Sequence, residues 1–350
     1  MIPLRYEIRR SLELFIVQKE MQEQAEKNVH HLVLTYSPRD ASSIKNVVVA
    51  FGSYDPLTLA HEMLFAAAKE AVQRNYFEDT GEVKALEATA SEATALKATS
   101  VLVVSSTAHY DKRVDLQQNS ALPDRILALE TRYAQRSQNF VGLFNNPYFV
   151  HLAPKVQEVF PQANLSFVMG TDVLEKIADC AAQRKHGFDP RQVYETIFQH
   201  DFLVSARSYN FQGQKQLVTR DMLVEANVHL LPFEKKIRHL AVPEKSNASD
   251  LLFSGMSSTT VREKVNNGES LDDLVHLFVK NFISDWKLYQ HNNSWYEASV
   301  ALREWLVKSR NGDMQELRKD MDFLMEDLKR LEEKPELQKE IIEMCKERSE

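Results

Sequence analysis

A histidine and a threonine stand where they could stabilise charge on a phosphate group. Val47–Phe51 is a short apolar run that predicts a buried strand, and Gly52 and Ser53 follow it directly. Small residues at a strand end let a phosphate approach backbone N–H groups closely. A predicted helix begins near His61, with Thr58 three residues earlier, so both side chains can face an anion bound at the helix N-terminus. The unit predicts a phosphate site at which these two side chains donate hydrogen bonds as charge develops.

A second hydroxyl-rich segment, Ser257–Arg262, lies far along the chain at the start of another predicted helix. Ser258 and Thr259 can cap that helix and leave its first N–H groups free for phosphate. Arg262 falls one turn into the helix on the same side, where a guanidinium can neutralise a leaving pyrophosphate. A capping sequence with no ligand is the alternative interpretation.

A third candidate, Gly170-Thr171-Asp172, follows the apolar segment Leu165–Met169. An aspartate at a strand end can accept hydrogen bonds from ribose hydroxyls. The same pattern also fits an aspartate that caps the next helix.

Short apolar runs alternate with helical patterns through the middle of the chain. Helices are predicted from about His61 to Asn75 and over Asp124–Arg136. The predicted strands are Val47–Phe51, Val101–Val104, Leu165–Met169, Phe202–Val204 and Val228–Leu231. This alternation predicts an α/β fold with a doubly wound, Rossmann-like parallel sheet, in which ligands bind at the carboxyl ends of the strands.

Helical patterns flank the predicted sheet at both ends. We expect an N-terminal helical extension over 1–43, a Rossmann-like domain over 44–284 and a C-terminal helical extension over 285–350. A stripe of apolar residues three and four apart, Met314–Leu331, predicts a helix docked on its own domain. A seam for a homo-oligomer is the alternative.

Charge and cysteine content exclude several classes of protein. The 43 basic and 50 acidic residues give a net charge of −7, which supplies no global field for nucleic acid. Two cysteines cannot build a disulfide framework and favour a reducing compartment. No signal-peptide pattern or long apolar stretch is evident, so we expect a cytoplasmic or nuclear protein with no membrane partner.

The string Gly52–His61 resembles the HxGH-type signature of the nucleotidyltransferase superfamily. Thr58 stands at the first histidine position, as in the T-x-x-H form seen in eukaryotic-type nicotinamide and nicotinate mononucleotide adenylyltransferases. Ser257–Arg262 resembles the SSTxxR motif of the same superfamily, and Gly170–Asp172 resembles its GxD element. The resemblance spans about residues 46–284 and implies a Rossmann-like adenylyltransferase.

Further residues receive roles only from this resemblance. Tyr110 and Lys112 resemble a Y-x-K element that reaches the phosphate of the acceptor, although a solvated basic loop explains them equally well. Arg207 follows the fourth predicted strand, as does a family arginine that reaches the ATP side. Asp124-Arg125 resembles the start of a substrate-loop helix, with a surface salt bridge as the alternative.

The tryptophans depart from the family pattern. Members that use a nicotinamide nucleotide usually stack its ring on tryptophan, but all three tryptophans here lie beyond the matching region. Other aromatic residues could stack instead; the candidates are Phe140, Phe188 and Tyr194.

The resemblance implies in-line transfer of an adenylyl group from ATP to nicotinamide mononucleotide, giving NAD and pyrophosphate. The attacking phosphate is already anionic, so catalysis needs positioning and charge stabilisation rather than a general base. Mg²⁺ is expected to be held mainly by the substrate phosphates, and no protein ligand to a metal is predicted. Other acceptors (nicotinate mononucleotide, phosphopantetheine or flavin mononucleotide) and a non-catalytic nucleotide-binding scaffold are the alternatives.

Overall fold

The computed structural model describes residues 3–79, 99–107, 119–133, 138–240, 256–290 and 294–347. Nine strands lie within these ranges: β1 (Leu32–Tyr36), β2 (Asn46–Phe51), β3 (Thr99–Ser106), β4 (Asn139–Phe144), β5 (Asn164–Gly170), β6 (Asp201–Ser205), β7 (Arg207–Phe211), β8 (Gln214–Val218) and β9 (Ile237–His239).

Helices surround the strands in the described part of the chain. They are α1 (Arg5–Glu26), α2 (Leu59–Asp79), α3 (Leu122–Tyr133), α4 (Phe149–Val159), α5 (Thr171–Ala178), α6 (Cys180–Lys185), α7 (Pro190–Ile197), α8 (Arg220–Ala226), α9 (Ser258–Asn266), α10 (Leu277–Asp285), α11 (Ser294–Ser309), α12 (Met314–Glu333) and α13 (Glu336–Glu347). Two 3₁₀ helices cover Ala41–Ser43 and Val228–Lys236.

Seven strands form one sheet in the order β1-β4-β3-β2-β5-β6-β9. All neighbouring pairs are parallel except β1 and β4, which are antiparallel. The chain leaves β2 toward β3 and β4 on one side, and later adds β5, β6 and β9 on the other. The order therefore reverses between β2 and β5, which is the topological switch point of a doubly wound α/β fold. The fold class predicted from the sequence is confirmed.

A hydrophobic core packs on each face of the sheet. Because side chains on both faces of the central strands are buried, these strands are continuous apolar runs in the sequence. In β2, Val48 and Ala50 join one hydrophobic core, while Val47 and Val49 join the core on the opposite face. All four residues have no exposed surface. This packing fixes the register of β2 and so fixes where its carboxyl end delivers Gly52.

Four of the five predicted strands occur as β2, β3, β5 and β6. The prediction over Val228–Leu231 is wrong, because this segment begins a 3₁₀ helix. Val228 and Leu231 are 69% and 49% exposed, so the run buries only Leu230 deeply. The edge strand is the next segment, β9. The sequence analysis did not predict β1, β4 or the β7–β8 hairpin.

The terminal helices share a core with the sheet. Leu12 of α1, Leu302 of α11 and Leu324 of α12 belong to the same buried cluster as Val103 of β3. Most of the predicted apolar stripe on α12 is buried in this cluster, so it serves to dock the helix on its own chain. No helix in the described ranges is both long and apolar enough to cross a bilayer.

Candidate active site

A large cavity opens at the carboxyl ends of the parallel strands. It has a volume of about 1260 Å³ and lies across the switch point between β2 and β5. Strand-end residues contribute to its wall: Phe51, Ser106, Gly170, Ser205 and His239. Pockets that hold one drug-sized ligand typically have volumes of roughly 300–1,000 Å³, so this cavity is larger than a single small ligand usually requires.

His61 lines the cavity from the first turn of α2. Its Nδ1 accepts a hydrogen bond from the Thr58 backbone N–H at 3.1 Å and lies 2.8 Å from the Thr58 hydroxyl. Because a backbone N–H can only donate, Nδ1 is unprotonated and the proton of the neutral ring is on Nε2. The buried Thr58 therefore sets the tautomer of His61 and makes Nε2–H a donor.

The imidazole of His61 is neutral at physiological pH. Burial, reinforced by the neighbouring positive charge of Arg207, lowers the pKa of His61 from its ordinary value of 6.5 to about 3. His61 can consequently donate a hydrogen bond from Nε2 without carrying a formal charge.

An aromatic ring lies close over Gly52. A Cβ at this position would come within 3.1 Å of the Tyr54 ring, which in turn packs edge-on against His61 at 5.3 Å between centroids. The Gly52 N–H is bonded to the Val104 carbonyl at 3.1 Å, so it extends the sheet and does not serve as a phosphate donor. This corrects the predicted role of that N–H, although Gly52 and Ser53 both line the cavity.

Gly170 ends β5 beside two polar side chains of the cavity wall, Asp172 and Arg207. A Cβ on Gly170 would lie 2.4 Å from Asp172 Oδ1 and 2.8 Å from Arg207 Cγ. The N-cap of α5 is Gly170 itself, so Asp172 is not the helix cap and its carboxylate faces the cavity.

Arg207 brings a positive charge to the wall. Its backbone N–H donates to the hydroxyl of Thr171 at 3.1 Å, and that hydroxyl donates to the Val218 carbonyl at 3.1 Å. The side chain of Arg207 lines the cavity beside Gly170 and Asp172. It is therefore a candidate for binding an anion in the cavity.

The two far-separated loops meet directly. Ser257 caps α9 by accepting from the Thr260 N–H at 3.0 Å, and Ser257 and Ser258 line the same cavity as His61. The Ser258 hydroxyl donates to the Pro56 carbonyl at 2.9 Å. The cavity thus gathers the N-termini of α2, α5 and α9, which favour anions.

Some predicted site residues lie elsewhere. Arg262 donates to the Asp55 carbonyl and, at 3.2 Å, to the Thr259 hydroxyl; neither Arg262 nor Thr259 lines the cavity. Tyr110 and Lys112 fall outside the described residues.

Of the aromatic residues considered for ring stacking, only Phe188 lines the cavity. Phe140 is fully buried in β4, and Tyr194 is buried and donates a hydrogen bond to the Ala178 carbonyl at 3.2 Å. Neither ring can therefore stack on a ligand in the cavity. Sequence reasoning missed Tyr148, whose ring packs edge-on to Phe188 at 4.7 Å between centroids. It also missed Lys176, which lies one turn after Asp172 on the cavity wall; this i, i+4 spacing was the available signal.

Asp124 and Arg125 are buried, so the alternative of a surface salt bridge is wrong. Asp124 pairs with the fully buried Arg303, and Arg125 lies 3.5 Å from the carboxylate of Asp55. No group of three or more His, Cys, Asp or Glu residues that could hold a metal ion occurs in the described part of the chain.

No family model matches the sequence, and no curated protein matches it. Among solved structures, the chain is similar to nicotinic acid mononucleotide adenylyltransferase of Plasmodium falciparum complexed with NaAD, with 16% identity, 70% of this chain and 97% of that chain covered, and a TM-score of 0.44. The same enzyme complexed with APC gives a TM-score of 0.41 at 16% identity, with 70% and 97% covered. A putative nicotinate-nucleotide adenylyltransferase from Vibrio parahaemolyticus gives 0.35 at 13% identity, with 71% and 96% covered. Likenesses this low assign neither a family nor an activity to this chain.

Proposed function

We propose that this chain transfers the adenylyl group of ATP to the phosphate of nicotinamide mononucleotide, forming NAD and releasing pyrophosphate. The observation that carries the proposal is the His61 ring, held as a neutral Nε2–H tautomer in a cavity at the sheet switch point. The meeting of the Gly52–His61 and Ser257–Arg262 segments at this cavity supports the same function.

In the proposed reaction, a phosphate oxygen of the acceptor attacks the α-phosphorus of ATP in line. The new O–P bond forms as the bond from the α-phosphorus to the β-phosphate oxygen breaks, and pyrophosphate leaves with that electron pair. His61 Nε2–H donates to a nonbridging α-phosphate oxygen, whose charge is stabilised in the transition state. Thr58 holds the imidazole in the donating tautomer. No protein nucleophile is needed.

The triphosphate is proposed to lie against the N-termini of α2 and α9, beside Ser53 and Ser258. Arg207 is the better candidate to neutralise the pyrophosphate, because its guanidinium is on the cavity wall. Arg262, with Thr259, is assigned to holding the loop at Asp55, since reaching the phosphates would require it to leave that carbonyl.

The acceptor is proposed to lie near β5 and α4. Asp172 would accept hydrogen bonds from ribose hydroxyls, with Gly170 allowing the close approach. Tyr148 and Phe188 offer ring surfaces for the base, and Lys176 adds a positive charge. Tyr110 and Lys112 remain predicted contacts to the acceptor phosphate. Mg²⁺ would enter with ATP as its complex, and the proposal gives it no protein ligand.

The test is to incubate the purified protein with Mg-ATP and each of four acceptors and to identify products by mass spectrometry. The acceptors are nicotinamide mononucleotide, nicotinate mononucleotide, phosphopantetheine and flavin mononucleotide. The proposal predicts NAD and an equal amount of pyrophosphate with the first acceptor. If only one of the other acceptors gives an adenylylated product, the proposed reaction type stands and the proposed acceptor is wrong. Absence of pyrophosphate with every acceptor, while ATP still raises the melting temperature, would instead indicate a nucleotide-binding protein without turnover.

A further inference from the structure

Asp55 belongs to the loop between β2 and α2 (the first loop), which meets the segment that begins α9 (the second loop). The carboxylate of Asp55 is buried and does not line the cavity. Asp55 Oδ1 accepts hydrogen bonds from the hydroxyls of Ser120 and Tyr289, each at 2.6 Å, and from the Ser120 N–H at 3.2 Å. Arg125 Nε lies 3.5 Å from Oδ2. A buried carboxylate is stable only when its oxygens are paired, so these partners fix its position.

The backbone at Asp55 is also where both halves of the cavity are joined. Its carbonyl accepts from Arg262, and the next carbonyl, of Pro56, accepts from Ser258. Thr58, which sets the tautomer of His61, is three residues further along. A shift of Asp55 would therefore move the histidine and the second loop together.

The segment that carries Ser120 and Arg125 is also held by a second buried polar cluster, which includes residues of the C-terminal helix α11. Tyr296 of α11 accepts from the Ala121 N–H and donates to Asp124, each at 2.7 Å. Arg303, also of α11, makes two hydrogen bonds to the Asp124 carboxylate, at 2.6 and 3.0 Å. Ser11 of α1 donates to Asp124 at 2.8 Å. The segment that carries Ser120 is thus contacted by residues of both the N-terminal helix α1 and the C-terminal helix α11.

We propose that Tyr289 is a positioning residue for adenylyl transfer: through the carboxylate of Asp55 it holds His61 and the second loop in the reactive arrangement. The C-terminal segment then completes the active site without touching the substrates. This inference rests on the proposed function.

The test compares Tyr289→Phe with Tyr194→Phe. Both changes remove one buried hydroxyl that makes hydrogen bonds, but Tyr194 packs on the opposite face of the sheet and has no contact with Asp55. For Tyr289→Phe we expect kcat to fall about tenfold or more, because small displacements of reacting groups are costly in the transition state. The KM for ATP should change less than kcat. Tyr194→Phe should lower the melting temperature and leave kcat unchanged.

The activity of the wild type distinguishes failure of the positioning role from failure of the proposed function. If it turns over and Tyr289→Phe matches it in kcat, the positioning role is wrong while the proposed function stands. If it makes no pyrophosphate with any acceptor, the proposed function fails and this inference fails with it. Should Tyr289→Phe not fold, Ser120→Ala serves instead, since it removes another hydroxyl from the same carboxylate oxygen. Unchanged kcat in Ser120→Ala would likewise overturn the role.

A double-mutant cycle tests whether Tyr289 acts through Asp55. Asp55→Asn keeps an acceptor oxygen but removes the charge. If both residues act on the same loop position, the double variant should have a kcat close to that of the slower single variant. A double variant slowed by the product of the two single effects would contradict the inference.

Discussion

The ring of His61 is constrained at one nitrogen and available at the other. Thr58 occupies Nδ1 with both its backbone N–H and its hydroxyl, and no partner of Nε2 occurs among the described residues. An imidazole held this way keeps its donor aimed without reorganisation during the reaction, which is what makes a buried donor effective. The proposed chemistry therefore depends on tautomer and burial and requires no protonated histidine.

The low pKa of His61 predicts a specific pH dependence of stability. Its pKa is about 3 in the folded protein and about 6.5 when unfolded, so between these values the unfolded state binds more protons at this site. The free energy of unfolding should then fall as the pH is lowered, by up to roughly 1.4 kcal/mol per pH unit from this group. In His61→Asn this contribution disappears.

Urea unfolding of both proteins from pH 7 to pH 4 checks this expectation. The difference in unfolding free energy, variant minus wild type, should rise steadily as the pH falls. Taking the difference cancels the other histidines with lowered pKa values, which include His30, His151 and His200. A difference that stays constant with pH would mean that His61 titrates normally in the fold.

At the residue scale, several residues that line the cavity could be predicted from the sequence, but the contacts that those residues make could not. Small residues after predicted strands led to Ser53 and Gly170, and hydroxyls at the start of a predicted helix led to Ser258. The position of Arg262 could not be foreseen, because one helical turn places its guanidinium equally well toward a ligand or toward the Asp55 carbonyl. The burial of Asp55 depends on Tyr289, which no local pattern links to it.

The hydroxyl of Thr171 joins the β7–β8 hairpin to the start of α5. Thr171 is fully buried and bridges the Arg207 N–H and the Val218 carbonyl. Thr171→Val keeps the side-chain volume but leaves both backbone groups without this partner, so the protein should lose about 2 kcal/mol of unfolding free energy. Thr171→Ser is the matched control, because it retains the hydroxyl and should lose less. Chemical denaturation measures both, and equal losses would show that the bridge contributes nothing.

Elements with a strong periodic or apolar signature could be predicted from the sequence, and those that depend on tertiary pairing could not. Strands β2, β3, β5 and β6 are buried on both faces and read as apolar runs. Half of the strand residues of the β7–β8 hairpin are exposed, so the hairpin has no continuous apolar run. The sequence feature that could have indicated it is the turn at Gln212 and Gly213, which both have positive φ values. β1 is half-buried throughout and pairs antiparallel at the sheet edge, so its pattern is weak.

At the scale of the whole molecule, a buried ion pair ties the C-terminal helix α11 to α3 of the sheet domain. Asp124 and Arg303 have no exposed surface, and the guanidinium lies 4.7 Å from the Trp286 ring centroid. Arg303→Met leaves Asp124 buried without its charge partner, which should cost about 3–5 kcal/mol of stability. Arg5→Met is the control, because the Arg5–Asp322 pair is exposed and its loss should cost less than about 1 kcal/mol.

Thermal or urea unfolding distinguishes the two variants. Replacing both partners, as in Asp124→Leu with Arg303→Met, should recover part of the loss, since no buried charge is left unpaired. If Arg303→Met were as stable as Arg5→Met, the pair would not hold the terminal helices. This long-range pairing was not predictable, because Asp124 and Arg303 each fit a surface helix when their sequences are taken alone.

The central claim is that His61 donates a hydrogen bond to the transferring phosphoryl group, and kcat of His61→Asn tests it most directly. Asparagine can still accept from the Thr58 N–H but has no atom equivalent to Nε2. His200→Asn is the control, because His200 is half-buried and does not line the cavity. With Mg-ATP and nicotinamide mononucleotide, pyrophosphate release by His61→Asn should be about 10²–10³-fold slower than in the wild type. ATP should still raise its melting temperature, and His200→Asn should turn over normally. Near-normal turnover by His61→Asn would contradict the account.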